Sequence, residues 1–362
     1  MKSLLLLSVA LPTAFATSNL DHSSRSDPSG DALLQKVYQF PNNTWVENLA
    51  VRSNGNILVS LISSPEVWQI NPEAQSAELV FAFPHATSAM GFAEVTEDVF
   101  IVSIGNFSYV TGAEQQGSWS VWELDFGHAP LPVDEGRGYW RRPHYGYEQD
   151  IARVRKVLDI PEAVFLNGAT ALPGSAETGI VLIADSELGT IWRVNTRVET
   201  YRVAAQDPAF RPNASIPLQI GINGMHYHEG YVYSSNTFST PLLARTPVSP
   251  SGYATGPVEV ISESAEFPVN GGAAADDFAI GAKGDIWLAS ASSTLVKIAA
   301  HGEQEVVAGG ADSKVLLGCT SAAFGRATKM KDILYISTNG GLGNPALGVV
   351  GGGLYSLDTA RL

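Results

Sequence analysis

Four side chains able to hold a cation or polarise an oxygen, Glu47, Asn167, Asn223 and Asp276, lie far apart in a chain of 362 residues, yet each opens a segment of the same shape. The segments are Glu47-Asn48-Leu49-Ala50-Val51, Asn167-Gly168-Ala169-Thr170-Ala171, Asn223-Gly224-Met225-His226-Tyr227 and Asp276-Asp277-Phe278-Ala279-Ile280. Two more complete the set, Met90-Gly91-Phe92-Ala93-Glu94 and Thr320-Ser321-Ala322-Ala323-Phe324. Each begins with a variable, often polar residue, then usually a small one, then an alternating apolar stretch. If the six first positions meet on one axis, two carboxylates and two amides face each other. Such a ring repels itself unless a cation sits within it, and a hard divalent ion such as Ca²⁺ takes oxygen ligands of this kind. The competing reading is that each side chain hydrogen-bonds backbone amides of a neighbouring repeat.

Convergence has to come from the elements that carry these residues. Each segment is followed, after a turn, by a second strand rich in β-branched and aromatic residues, such as Asn56-Ile57-Leu58-Val59-Ser60 or Asp285-Ile286-Trp287-Leu288-Ala289. Most copies continue into a third, such as Gly189-Thr190-Ile191-Trp192-Arg193-Val194, and turn dipeptides such as Asn54-Gly55 separate them. Successive first positions are 43, 77, 56, 53 and 44 residues apart, and four-stranded propeller blades recur at about 40–50 residues. The sequence therefore predicts an all-β chain, a single six-bladed β-propeller over residues 32–362. Residues 34–40 read as a strand that completes the last blade and closes the ring, which removes exposed sheet edges. A pair of β-sandwiches does not account for six repeats in register. The long interval between Met90 and Asn167 predicts an inserted surface loop at about residues 125–159. Within it Arg141-Arg142, flanked by Tyr139, Trp140, Tyr145 and Tyr147, reads as a solvated loop or as a lid that stacks on an aromatic substrate.

Composition narrows the class further. With 45% hydrophobic and 16% charged residues, the chain is too apolar to be disordered. Its net charge of −14 argues against nucleic acid as a partner, because phosphate contact needs a basic face. One cysteine, Cys319, excludes a disulfide scaffold and reads as a small buried hydrophobe. Met1-Lys2-Ser3, an apolar run and Ala14-Phe15-Ala16 predict a signal peptide over residues 1–16, followed by a flexible leader at 17–31. That run is too short to cross a bilayer, which takes about 20 residues, and no membrane span is expected. Sequons at Asn42, Asn106 and Asn213 are the expected glycosylation sites. Together these features place the chain in the secretory pathway, lumenal or secreted.

The segments headed by Glu47, Asn167, Asn223 and Asp276, with Phe165-Leu166 before Asn167, resemble those of the gluconolactonase and senescence-marker-protein-like six-bladed propellers over about residues 45–357. The resemblance implies that Glu47, Asn223 and Asp276 hold a divalent cation, that Asp276 is the base, and that Asn167 contacts substrate beside the metal. It also marks a departure, since the family's substrate-binding Arg falls on Phe165. With Phe165, the rim candidates Met90, Met225, Phe278 and Trp45 are apolar and suit a flat or terpenoid substrate. More loosely, the chain resembles fungal secondary-metabolite propellers that include hetero-Diels–Alderases, which join a humulene-type sesquiterpene to a tropolone-derived ortho-quinone methide.

Three functions follow from these residues. In a pericyclase, two apolar reactants are held face to face at the channel mouth. Asn167, Asn223, Asp276 and His226 are its candidate catalytic residues, and Trp45, Met90, Phe165, Met225 and Phe278 the candidate substrate-binding residues. In a metal-dependent lactonase, a divalent cation on Glu47, Asn223 and Asp276 polarises a carbonyl while Asp276 activates water. The third is a scaffold that binds a protein partner. No organic cofactor is expected, the substrate is read as a small apolar or aromatic molecule, and the oligomeric state is left open. No Gly-x-Ser-x-Gly is present, and His226-x-His228 reads as an exposed strand pair or a weak metal pair. The runs Gly340-Gly341 and Gly351-Gly352-Gly353 lack the helix and Lys of a phosphate loop and read as turns.

Overall fold

A computed structural model describes residues 30–127, 139–140, 151–269, 274–310 and 312–362, with residues 139–140 described by backbone alone. The expected signal peptide, most of the leader and the Arg141-Arg142 segment lie outside the described residues. Six antiparallel sheets follow one another along the chain, each a blade. Their inner strands are Val46–Val51, Ser88–Thr96, Leu166–Ala171, Ile222–His228, Phe278–Ile280 and Cys319–Phe324. Gln35–Gln39 pairs with Gly353–Asp358 and supplies the outer strand of the sixth blade, so the ring is closed by the N-terminal strand as expected. Among the described residues no helix is long and apolar enough to cross a membrane.

The second strands show why this sequence makes stacked sheets. Ile57–Leu61 and Ile180–Asp185 are buried at every position, because both faces of a blade press on neighbours rather than on water. Continuous β-branched and aliphatic runs fit that environment, and each such side chain contributes about 1.5–3 kcal/mol when buried. Outer strands are more open to water. Thr200–Gln206 is half-buried to exposed along its length.

Two segments differ from the sequence expectation. Arg153–Asp159 lies within the expected loop yet pairs with Ser120–Asp125 as a strand of blade 2, and Tyr139–Trp140 adds a short further strand. The charged positions Arg153, Arg155 and Lys156 mask two buried valines, Val154 and Val157, which pack into different hydrophobic clusters. Blade 4 also has its full complement, Leu243–Pro247 and Glu259–Ser262, although the prolines in that stretch obscure it. The last residues of the expected leader are docked. Gly30 N–H donates to Val307 O at 3.0 Å, and Asp31 accepts from Gly309 N–H at 2.6 Å.

A bulge recurs where each inner strand begins. Pairing with the second strand slips between Val46 and Asn48, Ala89 and Phe92, Leu166 and Ala169, Ile222 and Met225, and Cys319 and Ser321. In blade 5, Ala289 bonds both Asp276 and Asp277. A bulge leaves a residue outside the ladder and re-aims its side chain, so the segment heads turn away from the sheet toward the axis. The small second residue then has a reason. A Cβ on Gly91 would sit 2.4 Å from Asn167 O, one on Gly168 2.3 Å from Asn223 O, and one on Gly224 2.2 Å from Asp277 Oδ1. Inner strands approach too closely there for any side chain.

Candidate functional site

The bulges bring Glu47, Asn167, Asn223 and Asp276 to the floor of one pocket of about 230 Å³. Asn223 Nδ2 donates to Asp276 Oδ1 and to Thr237 Oγ1, both at 2.9 Å. Both its protons are thereby committed, so its carbonyl oxygen is what it offers a ligand. Trp45 Nε1 donates to Glu47 Oε2 at 2.7 Å and orients that carboxyl. Above the floor stands an aromatic wall. Phe107 and Phe165 stack with centroids 4.4 Å apart and planes 9° from parallel, and Trp45 packs on Tyr109 at 5.7 Å. The Asp185 carboxylate holds the wall in place by accepting from Val164 N–H at 3.0 Å and Phe165 N–H at 3.2 Å.

Charge in this floor is not balanced by any Lys or Arg among the pocket-lining residues. Burial pushes Glu47 up to about 7, the Trp45 hydrogen bond opposes that rise, and the charge of Asp277 adds to it. Asp276 is raised well above the ordinary aspartate value, first by burial and then by the charges of Glu47 and Asp277, with the Asn223 hydrogen bond acting the other way. Buried carboxyls held close together cannot all ionise cheaply, so the pair retains a proton near neutrality or attracts a cation. Two carboxylates and two amide oxygens fit a hard cation by donor type. Among the described residues no group of three or more His, Cys, Asp or Glu is arranged for a metal, so any such ion would depend on amide oxygens for its remaining protein ligands.

The other sequence candidates are placed elsewhere. Met225 and Phe278 are fully buried in inter-blade clusters. They stand two residues beyond their segment heads, past the irregularity that turns the heads to the axis, where the strand is back in its ladder and its side chains point at a neighbouring blade. Met90 heads its segment but lies beneath the aromatic wall, in one cluster with Phe107, Trp119 and Phe165. Thr320 follows the competing reading, since its hydroxyl donates to Val46 O at 2.8 Å. His226 is not a pocket residue. It bonds Asp277 Oδ1 at 2.9 Å and meets Phe278 edge-on, while His228 faces Glu229, so the two histidines do not share a ligand. Trp45 and Phe165 do line the pocket. Of the sequons, Asn42 and Asn213 are exposed, whereas Asn106 is half-buried, its amide N–H donating to Gln115 Oε1 at 2.9 Å.

Several wall residues escaped the sequence reading. Phe107 and Tyr109 belong to a small hairpin, Phe107–Ser108 with Ala113–Glu114, inserted between the second and third strands of blade 2. The turn dipeptide Thr111-Gly112 after an aromatic alternation was its signal. Ile62, Thr237, Ala291 and Asn339 each directly follow a second strand and line the same pocket. Carrying the repeat register one strand further would have found them.

Fold and site together define a class, a six-bladed β-propeller whose channel mouth joins a carboxyl–amide floor to an aromatic wall. No family model matches the chain. Its sequence is similar to that of asR5 of Sarocladium schorii, assigned as a hetero-Diels-Alderase, with 28% identity over 353 residues, 88% of this chain and 81% of that protein. A Phoma sp protein with the same assignment is 28% identical over 335 residues, 84% of this chain and 86% of its own. In fold the chain is similar to a calcium-binding regucalcin of Agrobacterium tumefaciens, with a TM-score of 0.55 at 16% identity, covering 89% of this chain and 92% of that one.

Proposed function

We propose that this chain is a hetero-Diels–Alderase, joining a quinone-methide-type heterodiene to a sesquiterpene alkene at the channel mouth. The observation that carries the proposal is the similarity, along most of both chains, to two proteins with that assignment. The pocket agrees with it. A cycloaddition needs no nucleophile; it needs two reactants held in reacting geometry, an effect worth up to about 7–11 kcal/mol. Trp45 and Tyr109, the half-buried members of the wall, offer a face to a flat ring. Below them Asn167 and the Glu47–Asp276 pair, still holding a proton, can donate a hydrogen bond to the heterodiene oxygen, which accumulates charge as the ring closes. A preorganised donor of that kind contributes roughly 10²–10³ in rate. The test is chiral chromatography of the adduct formed from humulene and a tropolone-type ortho-quinone methide generated in situ. One dominant stereoisomer is expected with the protein and a mixture without it; identical mixtures would overturn the proposal.

A second reading, a metal-dependent lactonase, is favoured by the floor itself. There Glu47, Asn223 and Asp276 would hold a divalent cation such as Ca²⁺, which when bound polarises a carbonyl oxygen. Lactone hydrolysis that disappears with EDTA and returns with Ca²⁺ supports this reading over the first. Passage through the secretory pathway is supported by the apolar N-terminus and the exposed Asn42 and Asn213. A mass loss on enzymatic deglycosylation, abolished by changing those two residues, tests it.

A further inference from the structure

Beside the four floor residues, another buried amide reaches the pocket. Asn339 directly follows the second strand of blade 6, Ile333–Thr338, and is 1% exposed. Its backbone N–H donates to Gly318 O at 2.8 Å, and its Oδ1 accepts from Gly341 N–H at 2.9 Å. The second bond needs a sharp turn, which Gly340 and Gly341 make at φ values of 67° and 86°, so the glycine pair fixes the amide in place. Gly318 backs it, since a Cβ there would stand 2.2 Å from Asn339 Oδ1. The Gly341 donor identifies the oxygen of the amide, and Nδ2 is the atom left over. It meets no acceptor among the described residues, and it is not sealed in, because Asn339 lines the pocket. Gly343, another lining residue, stands beside it. A Cβ at Gly343 would come within 3.0 Å of Nδ2, so a side chain there would crowd the amide.

A turn of this kind uses only the side-chain oxygen, which Ser, Thr or Asp supplies as well. The nitrogen is what the turn leaves unused. Buried donors are normally satisfied, so a buried NH₂ group open to a cavity calls for an acceptor on the ligand. Asn167 repeats the pattern from blade 3, being 2% exposed and without a side-chain partner among the described residues. Blades 3 and 6 are three apart in a ring of six and face each other across the axis, so the two amides enter one cavity from opposite sides. Asn223 cannot join them, since its protons are held by Asp276 and Thr237.

The cycloaddition supplies such an acceptor. Ring closure makes one C–C and one C–O bond from three π bonds, with no proton transferred and no leaving group. When the C–C bond forms ahead of the C–O bond, negative charge gathers on the heterodiene oxygen, whose lone pairs can take two donors. We infer that Asn339 is a further catalytic residue, donating together with Asn167 to that oxygen. The inference rests on the cycloaddition reading. It is tested by kcat and KM for adduct formation from humulene and the ortho-quinone methide generated in situ, alongside urea unfolding, in two variants of the full chain. Asn339→Ser keeps an acceptor for Gly341 N–H but withdraws the donor from the pocket, whereas Asn339→Leu removes both. Both should lower kcat about tenfold or more with KM within about threefold, and only Asn339→Leu should lower the unfolding midpoint. An unchanged kcat in Asn339→Ser, or a loss seen only where the midpoint also falls, would show that Asn339 serves the turn alone and overturn the inference. If the wild type gives neither acceleration nor stereoselectivity, the cycloaddition reading falls and this inference with it.

Discussion

Asp276 and Asp277 are adjacent, equally buried carboxylates with opposite surroundings. Asp277 is saturated: Asn48 Nδ2 at 2.9 Å and Ser321 Oγ at 3.1 Å donate to one oxygen, and Phe278 N–H at 2.8 Å and His226 Nε2 at 2.9 Å meet the other. These contacts tie together the inner strands of blades 1, 4, 5 and 6. Asp276 has Asn223 as its side-chain partner, faces the pocket, and stands near Glu47 with no cation in the pocket lining. A carboxylate that holds the ring closed is given donors, whereas one available to a ligand is left short of them. Buried polar groups are costly unless satisfied, so the deficit at the floor marks where binding, a proton or an ion must supply the balance.

The largest effect should come from Asp277→Ala. Up to four donors lose their acceptor, each at about 1–3 kcal/mol, so urea unfolding should show a loss of about 3 kcal/mol or more. Asp276→Asn should cost little stability or gain some, yet lower turnover; equal destabilisation by the two changes would erase the contrast. Next in size is a pH effect. Glu47 binds its proton more tightly folded than unfolded, so its contribution is full below the ordinary 4.5, declines as pH rises to about 7 and is flat above. Glu47→Gln should therefore leave stability unchanged at pH 4 and raise it at pH 8, by at most about 3 kcal/mol. Parallel stability–pH curves for wild type and variant would contradict this.

Gly224→Ala probes the close approach that lets Asp277 reach its donors. Overpacking of this type costs about 1–3 kcal/mol, measured as a fall in midpoint denaturant concentration, and an unshifted midpoint would mean the inner strands part freely. The smallest effect belongs to His226→Ala. It removes one of four partners of Asp277, about 1 kcal/mol, and should leave turnover of any pocket substrate unaltered. A large loss of activity would place His226 in the site after all.

The architecture was readable because a propeller writes its geometry as repetition: six heads in register, each before an alternating strand. The floor residues were readable for the same reason, since Glu47, Asn167, Asn223 and Asp276 occupy one position of that repeat. The wall was not. Phe107 and Tyr109 sit in a hairpin outside the repeat, and Met225 and Phe278 have the composition of a rim but lie past the irregular heads, on strand faces that pack between blades. Asp277, next to a floor residue, gave no sign in the repeat that its carboxylate would tie four blades together.

Local pattern alone determines strand, turn and repeat here, because alternation and glycine placement act over a few residues. Which side chains share a pocket is decided only when blades are stacked, since each bulge rotates a head residue by an amount the neighbouring blade's backbone dictates. The raised proton affinity of Glu47 and Asp276 is likewise a property of the closed ring. Two carboxyls separated by 229 residues of chain perturb each other only after folding has excluded the water that would screen them.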